Sequence, residues 1–412
     1  MRHTISKKFT LLALSFLFVQ MGFAQSDAKA RKTTTIRIDT RKIETDLSNI
    51  FKTVALEIKK IDFQKIGIAI EEVANEIESE IGDIEVIVND RHDAGLPERQ
   101  GELTGTAEKT RMISKTYSVD RNDKLSINNQ YGKVSVHVWA KNEIKVDVEV
   151  KAFESSESAA QDLLESVKIT DLRQNDLISF KTTFEKTSVN FWSRIKNGKE
   201  ERRGVQVNYE IYMPAKNALD LNNRYGSTMI EDFSGPVNIS SSYGSFSSGK
   251  LDNPANDVKV SYGSANMEDY SNGNLTIAYG SLKLVNASKV NASIKYSGAK
   301  IAKLTNGGTF DLSYSGGFRI DEVDRNVKNL IINSSYSGVT LGIDENADFN
   351  FDVTVSYAGF NYNNDKINLA NEFSEAGKTK VWSPTKNYKG SMGKGSDSRI
   401  IIKSNYGGVK FL

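Results

Sequence analysis

Acidic side chains are the residues of this chain best suited to catalysis. β-Helical enzymes that cleave acidic polysaccharides use clustered carboxylates together with lysine and arginine. Two clusters at expected outward positions fit that chemistry loosely: Glu268-Asp269 and Asp321-Glu322-Asp324-Arg325. Because paired carboxylates at the corners of repeats are more often solvated turn residues, they give catalysis little support.

Histidine and cysteine are scarce. The chain has three histidines, His3, His92 and His137, and no cysteine. Acid–base catalysis by histidine and multi-histidine metal sites are therefore nearly excluded. The sequence contains no nucleophile elbow, phosphate loop, zinc-ligand pair or dinucleotide fingerprint. We expect no catalytic residue, no metal and no cofactor.

Two segments combine aromatic and basic side chains, a pattern that suits binding. The first contains Phe191, Trp192, Arg194 and Arg202, and the second contains Trp382 and Tyr388 among lysines. Stacking and charge-assisted hydrogen bonds by such residues fit an acidic glycan or a protein partner. The alternative is that each segment is a solvated loop whose aromatic side chain packs back on the fold.

Tyrosine followed closely by glycine is the dominant pattern of the chain. Between positions 225 and 357 it recurs every 17 to 22 residues. The repeat tyrosines are Tyr225, Tyr243, Tyr262, Tyr279, Tyr296, Tyr314, Tyr336, Tyr357 and, after an interruption, Tyr406. Tyr131-Gly132 carries the same signature. A fixed short period indicates stacked repeats, each too small to be a domain.

The residues around each tyrosine predict two short strands. Leu275 and Ile277 precede Tyr279 at even offsets, whereas Leu282 and Leu284 follow it at odd offsets. Alternation with period two predicts a strand with one buried face. The change of parity predicts a bulge or corner, which we assign to the glycine because glycine tolerates positive φ.

These repeats predict an all-β fold, a parallel β-solenoid preceded by an α-helical N-terminal segment. Equivalent tyrosines would lie about 4.8 Å apart along the stack and form a ladder of aromatic rings. The tyrosines fall at the same alternate positions as the aliphatic residues expected to be buried, which favours a structural role. The alternative is an exposed stripe of rings that binds a ligand.

Composition divides the chain into five parts. They are a secretory signal peptide (1–24), an amphipathic helical segment (25–88), a linker (89–114), a β-rich module (115–215) and solenoid repeats (216–412) with an insertion near 361–398. The amphipathic segment predicts helices that cap the solenoid or dock a partner. Within the β-rich module, Ser158 is predicted to cap a short helix from Ala159 to Val167.

The signal peptide indicates an exported protein, in the periplasm or on the outer surface of a Gram-negative bacterium. No later segment reaches the roughly 20 apolar residues of a transmembrane helix, so we expect none in the mature chain. A net charge of +2 offers no field that would attract nucleic acid. The expected partner is a glycan or an envelope or surface protein.

The segment Leu125–Trp139, the strand Asn142–Val150 and the later Ser-Tyr-Gly-Ser repeats resemble the bacterial putative-adhesin β-solenoid family of unknown function. The related head domain of putative autotransporter adhesins is similar. The resemblance covers about 116–412 and implies an exported β-helical protein with no known catalytic residues.

The sequence therefore favours a non-catalytic β-solenoid that acts in adhesion or scaffolding at the cell envelope or surface. One alternative is a periplasmic signalling or stress-response component that docks a partner through its N-terminal helices. A second alternative is a polysaccharide-cleaving β-helix enzyme.

Overall fold

The computed structural model describes residues 107–185, 192–196, 199–362, 366–370 and 383–412. The predicted signal peptide and the helical segment 25–88 lie outside the described residues. Within them, the fold is all-β with one short helix, which confirms the predicted class. The first strand begins at Ala107, inside the predicted linker.

Twenty-six strands and one helix follow one another along the described chain. The first part comprises β1 (Ala107–Ser118), β2 (Lys124–Gln130), β3 (Val134–Val138), β4 (Glu143–Glu154), α1 (Glu157–Glu165), β5 (Val167–Gln174), β6 (Leu177–Phe184), β7 (Trp192–Lys196) and β8 (Lys199–Met213). The middle part comprises β9 (Ala218–Arg224), β10 (Thr228–Ile230), β11 (Val237–Ser242), β12 (Phe246–Leu251), β13 (Asp257–Ser261), β14 (Ser264–Ser271), β15 (Asn274–Ala278), β16 (Ser281–Lys295) and β17 (Gly298–Ser313). The last part comprises β18 (Phe318–Val323), β19 (Asn329–Ser335), β20 (Val339–Ile343), β21 (Phe349–Ser356), β22 (Phe360–Tyr362), β23 (Ile367–Leu369), β24 (Thr385–Met392), β25 (Arg399–Asn405) and β26 (Val409–Phe411).

Each repeat contributes one rung, which consists of a strand, a corner at the tyrosine and a second strand. Strands that precede the tyrosines pair in parallel and form the first face, for example β9 with β11 and β11 with β13. Strands that follow the tyrosines form the second face in the same way, for example β10 with β12 and β12 with β14. The long strands β16 and β17 contribute to both faces.

The core lies between the two faces. Val258 and Val260 on β13 pair with Leu275 and Ile277 on β15, and all four side chains are buried. Full burial of such a side chain contributes about 1.5–3 kcal/mol, and every rung repeats it. The alternation read from the sequence is therefore the pattern of a continuous stacked core.

The sheet is mixed rather than wholly parallel. Antiparallel pairs join β1 with β4, β4 with β8, β5 with β6, β7 with β8, β21 with β24 and β23 with β24. The strands of these pairs lie within residues 107–213 and 349–392. On the first face, β6 pairs with β2 and β24 pairs with β21, so neither β2 nor β21 is left as an unpaired edge strand. Unpaired edge strands promote aggregation.

The short helix lies slightly earlier than predicted. It spans Glu157–Glu165, and its N-cap is Ser156, whose side chain accepts a hydrogen bond from the Ala159 amide. Ser158 is inside the first turn. Ser156 has the extended backbone and the side-chain hydrogen bond of an N-cap, and Ala160 and Leu164 are the buried residues of the helix.

The rungs do not stack in chain order. β25 pairs in parallel with β19 on one side and with β21 on the other. β26 lies likewise between β20 and β22. The rung of Tyr406 is thus inserted between the rungs of Tyr336 and Tyr357.

Candidate functional site

Ten tyrosine rings form a single stacked row, called here the tyrosine ladder. In spatial order it contains Tyr131, Tyr225, Tyr243, Tyr262, Tyr279, Tyr296, Tyr314, Tyr336, Tyr406 and Tyr357. Successive ring centroids are 4.7–5.2 Å apart, and most neighbouring planes agree within 7°. The predicted ladder is present.

Backbone hydrogen bonds place each ring. The amide of each tyrosine except the last, Tyr357, donates to the carbonyl of the residue that precedes the next tyrosine in the stack. The amide of Tyr243 donates to Ser261, that of Tyr262 donates to Ala278, and that of Tyr336 donates to Asn405. The spacing of the rings is therefore set by the spacing of parallel strands.

The tyrosine, not the glycine, makes the corner. All ten ladder tyrosines have positive φ, from 51° to 64°, whereas the glycine that follows Tyr279 does not. Our assignment of positive φ to the glycine was therefore wrong. A non-glycine residue in this region carries a strain of about 1–2 kcal/mol. Stacking on two neighbours compensates for the strain, since aromatic pairs contribute about 0.5–1.5 kcal/mol each.

Glycine is required for a different reason. A Cβ atom on Gly244 would overlap the backbone of Gly226 one rung away, and one on Gly280 would overlap Gly263. In repeats of the form Tyr-Ser-Gly the situation changes. Ser297 occupies the position next to the tyrosine, and a Cβ on Gly298 would meet nothing within 4 Å.

The rings lie at the surface rather than in the core. The exposed fraction is 50% for Tyr279 and 52% for Tyr314. The expected parity with the buried aliphatic residues does not hold, because a residue with positive φ breaks the alternation of the strand. The ladder rings are therefore both stacked on one another and accessible from the surface.

Two of the ladder phenols have a pKa above the ordinary value of tyrosine. Burial and then the neighbouring Tyr225 raise the pKa of Tyr131 above its ordinary value. Desolvation and then Tyr357 raise the pKa of Tyr406. No hydrogen bond joins the hydroxyls of Tyr279 and Tyr314 to another described residue. A phenol hydroxyl can both donate and accept a hydrogen bond, so the ladder presents a row of such groups.

A shallow cavity of about 370 Å³ adjoins the ladder on the first face. Its lining is Asp311, Leu312, Ser313, Asn333, Ser334, Ser335, Thr354, Ser356, Lys403, Ser404 and Asn405. These residues come from β17, β19, β25 and β21. Sequence reasoning missed this site because its central strand, β25, stacks out of chain order.

A wider open groove of about 850 Å³ lies on the second face. Met229 and Val285 line it together with Glu231, Glu268 and Lys283. Acidic and basic groups are mixed along its walls, so its charge does not select a ligand.

His137 forms a polar cluster that the sequence did not reveal. Its Nδ1 lies 2.8 Å from Glu231 and its Nε2 lies 2.9 Å from Glu210, and its ring stacks on Tyr212. Burial disfavours the charged imidazole, but the two carboxylates outweigh it and raise the pKa of His137. The two nitrogens point to different carboxylates, so the ring of His137 on β3 bridges Glu210 on β8 and Glu231, which directly follows β10.

The predicted aromatic and basic residues do not form one described surface. Phe191 and Trp382 lie outside the described residues, while Trp192 and Arg194 belong to β7. The guanidinium of Arg202 lies 5.8 Å from the ring centre of Phe153. Tyr388 on β24 packs on Phe360 with ring centroids 5.4 Å apart. Tyr388 thus packs on the stack through Phe360.

The acidic cluster at the second face is held in ion pairs. Lys300 lies 3.1 Å from Asp321, and Lys303 lies 2.9 Å from Asp324 and also contacts Glu322. Burial opposes ionisation of Asp321, but Arg319 and Lys300 outweigh it and lower the pKa of Asp321. The Asn326 amide and then Lys303 lower the pKa of Asp324. A carboxyl group that acts as a general acid near neutral pH needs a pKa raised above its ordinary value, which is the opposite of what Asp321 and Asp324 show.

Across the described strands, no group of three His, Asp or Glu side chains is arranged to hold a metal ion. The single described helix, α1, is too short to cross a membrane.

No protein-family model and no curated protein matches the chain. A putative adhesin from Parabacteroides distasonis shares 11% identity over 73% of this chain and 97% of its own, with a TM-score of 0.32. A putative adhesin from Bacteroides fragilis shares 10% identity over 73% of this chain and 97% of its own, with a TM-score of 0.31. A putative lipid binding protein from P. distasonis shares 9% identity over 73% of this chain and 96% of its own, with a TM-score of 0.27.

The first two structures carry the name of the class that the sequence motif resembles. All three TM-scores are below 0.5.

Proposed function

We propose that the chain is an exported, non-catalytic β-solenoid that acts in adhesion or scaffolding at the cell envelope or surface. In this proposal, residues 216–412 form the solenoid, 115–215 lead into it, and the tyrosine ladder is its contact face. The observation that carries the proposal is the row of ten surface rings at a regular step of 4.7–5.2 Å. Its partner would be a glycan or an envelope or surface protein.

The mechanism is multivalent contact along a rigid surface. Each ring is fixed by its own amide hydrogen bond and by the rings on either side, so little side-chain entropy is lost when a partner binds. A contact at one rung raises the effective concentration of the partner at the next rung. Weak contacts at several rungs then give a stable attachment.

A binding experiment on cell envelopes tests this proposal. Purified mature chain is mixed with envelope fragments, and the fraction that sediments is measured. The variant Tyr262→Asn/Tyr279→Asn/Tyr296→Asn keeps a residue type that tolerates positive φ and removes three central rings. We expect its bound fraction to fall at least tenfold. The control Lys283→Asn/Val285→Asn changes exposed residues of the second face and should bind as the parent does.

Equal binding by the parent and the triple tyrosine variant would contradict the proposal. Deletion of residues 25–106, which ends before β1, tests the signalling alternative. Loss of binding in that deletion, with no effect of the tyrosine substitutions, would favour capture of a partner by the N-terminal segment.

Protease added to intact cells tests location. Cleavage of this protein while a periplasmic control survives would support a surface adhesin. Protection until the envelope is opened would support a periplasmic scaffold.

A further inference from the structure

The cavity of the first face is continuous with one end of the tyrosine ladder. Four of its lining residues directly precede ladder tyrosines: Ser313, Ser335, Asn405 and Ser356 precede Tyr314, Tyr336, Tyr406 and Tyr357. The three rings at this end follow one another at steps of 4.8 Å. A ligand that fills the cavity would therefore reach the phenolic hydroxyls as well.

Neutral hydroxyl and amide groups dominate the cavity wall. They belong to Ser313, Asn333, Ser335, Thr354, Ser356 and Asn405. No hydrogen bond joins the hydroxyls of Ser313 and Ser335 to other described residues, so both are available to a ligand. The wall contains one acid and one base, Asp311 and Lys403, and the Asn333 amide donates to the Asp311 carboxylate at 2.9 Å.

The ring edges add a second set of groups that attract oxygen. The rings stack on one another, so their faces are covered and their edges and hydroxyls are exposed. The edge of an aromatic ring is electropositive and a phenol can donate a hydrogen bond, so both attract uncharged oxygen atoms. A ring edge and a phenolic hydroxyl recur at each rung, in a row that runs along the stack.

We propose that this site binds an uncharged polysaccharide whose chain lies along the ladder from Tyr314 to Tyr357. This inference rests on the proposed function and names its ligand class. Sugar hydroxyls match the serine, threonine, asparagine and tyrosine groups in number of donors and acceptors. Repeated sugar units can make the same contacts at successive rungs. A polyanion would meet one positive charge, on Lys403, and one negative charge, on Asp311, so the cavity wall has no net charge that would attract it.

Affinity electrophoresis of the full mature chain tests the proposal. Native gels contain galactomannan, laminarin or dextran as uncharged probes, or polygalacturonate as the charged probe. We expect at least one uncharged probe to retard the chain, and polygalacturonate to retard it no more than it retards an inert protein. The variant Tyr336→Phe/Tyr406→Phe keeps the stacked rings and removes two hydroxyls. It should bind about tenfold more weakly, as the loss of two hydrogen bonds implies.

The control is Lys283→Asn/Val285→Asn, a double change of exposed residues on the second face, away from both the cavity and the ladder. It should bind like the parent, and circular dichroism should show that both variants melt as the parent does. Three results would each overturn the inference: no retardation by any uncharged probe, retardation by polygalacturonate alone, or equal effects of the two variants. Envelope binding that still depends on the central tyrosines would then leave the proposed function intact.

Discussion

Tyr336 and Tyr406 stack with their ring centroids 4.8 Å apart, although another repeat lies between them in the sequence. The contact exists because β25 occupies a slot between β19 and β21. The loop that leads into β25 is attached to the start of β21, where the Lys394 amide and the Ser396 hydroxyl both donate to Asp348.

Engineered disulfides test this order of strands, since the natural chain has no cysteine. Asn333 and Lys403 are direct partners in the sheet, as are Lys403 and Thr354. Cysteine pairs at 333/403 and at 403/354 should each oxidise to an intramolecular disulfide. The pair 333/354 spans two strand spacings, about 9.6 Å, and should not. Mass spectrometry distinguishes the three outcomes, and a 333/354 bond would show that the rungs stack in chain order.

Two glycines in adjacent rungs should respond differently to the same substitution. Gly280→Ala places a Cβ against the backbone of Gly263, so we expect a loss of about 3 kcal/mol or failure to fold. Gly298→Ala meets open space and should change stability by less than about 0.5 kcal/mol. Urea denaturation followed by circular dichroism measures both. Equal losses would mean that the two corners share one geometry.

Substitution of a central ladder residue should reverse the usual order of alanine and glycine. Tyr279→Ala loses stacking on two neighbours, about 2 kcal/mol in all, and keeps the strained positive φ. Tyr279→Gly loses the same stacking but removes about 1 kcal/mol of strain. The glycine variant should therefore unfold at a higher urea concentration. A more stable alanine variant would argue that position 279 has ordinary negative φ.

His137 should make stability depend on pH. Its pKa in the folded chain is raised above the ordinary 6.5. The stabilisation by its two carboxylate partners is therefore complete below about pH 6.5 and is lost as the pH rises through the folded-state value. The melting temperature of the parent should fall between pH 6 and pH 8.5, and that of His137→Gln should fall less. Parallel curves for the two proteins would contradict the assignment.

Neutralising the acidic cluster should not affect binding. Asp321→Asn/Glu322→Gln/Asp324→Asn removes the partners of Lys303, so some stability is lost, but envelope binding should match that of the parent. Release of reducing ends from polygalacturonate should stay at background for both proteins. Turnover by the parent that disappears in the variant would revive the polysaccharide-cleaving alternative.

Much of the fold could be predicted because its signals are local. The alternation of Leu275 and Ile277, and of Leu282 and Leu284, is a property of neighbouring residues and corresponds to buried positions in the structure. The spacing of the tyrosines likewise predicted their stacking. The corner was assigned to the wrong residue, because single-residue preference favours positive φ at glycine and a stacked neighbour was needed to reverse it.

The sequence by itself determined the all-β class, the period of the repeat and the existence of a tyrosine ladder, since each follows from the local alternation of apolar side chains and a recurring corner. Only the tertiary structure decided that the rings are exposed, that β6 and β24 cover the edge strands of the first face, and that the rung of Tyr406 lies between those of Tyr336 and Tyr357. These features depend on hydrogen bonds between strands distant in the sequence. Lengthening the connecting loop adds little to the entropy of closing it, so nothing in the local pattern specifies the order in which rungs stack.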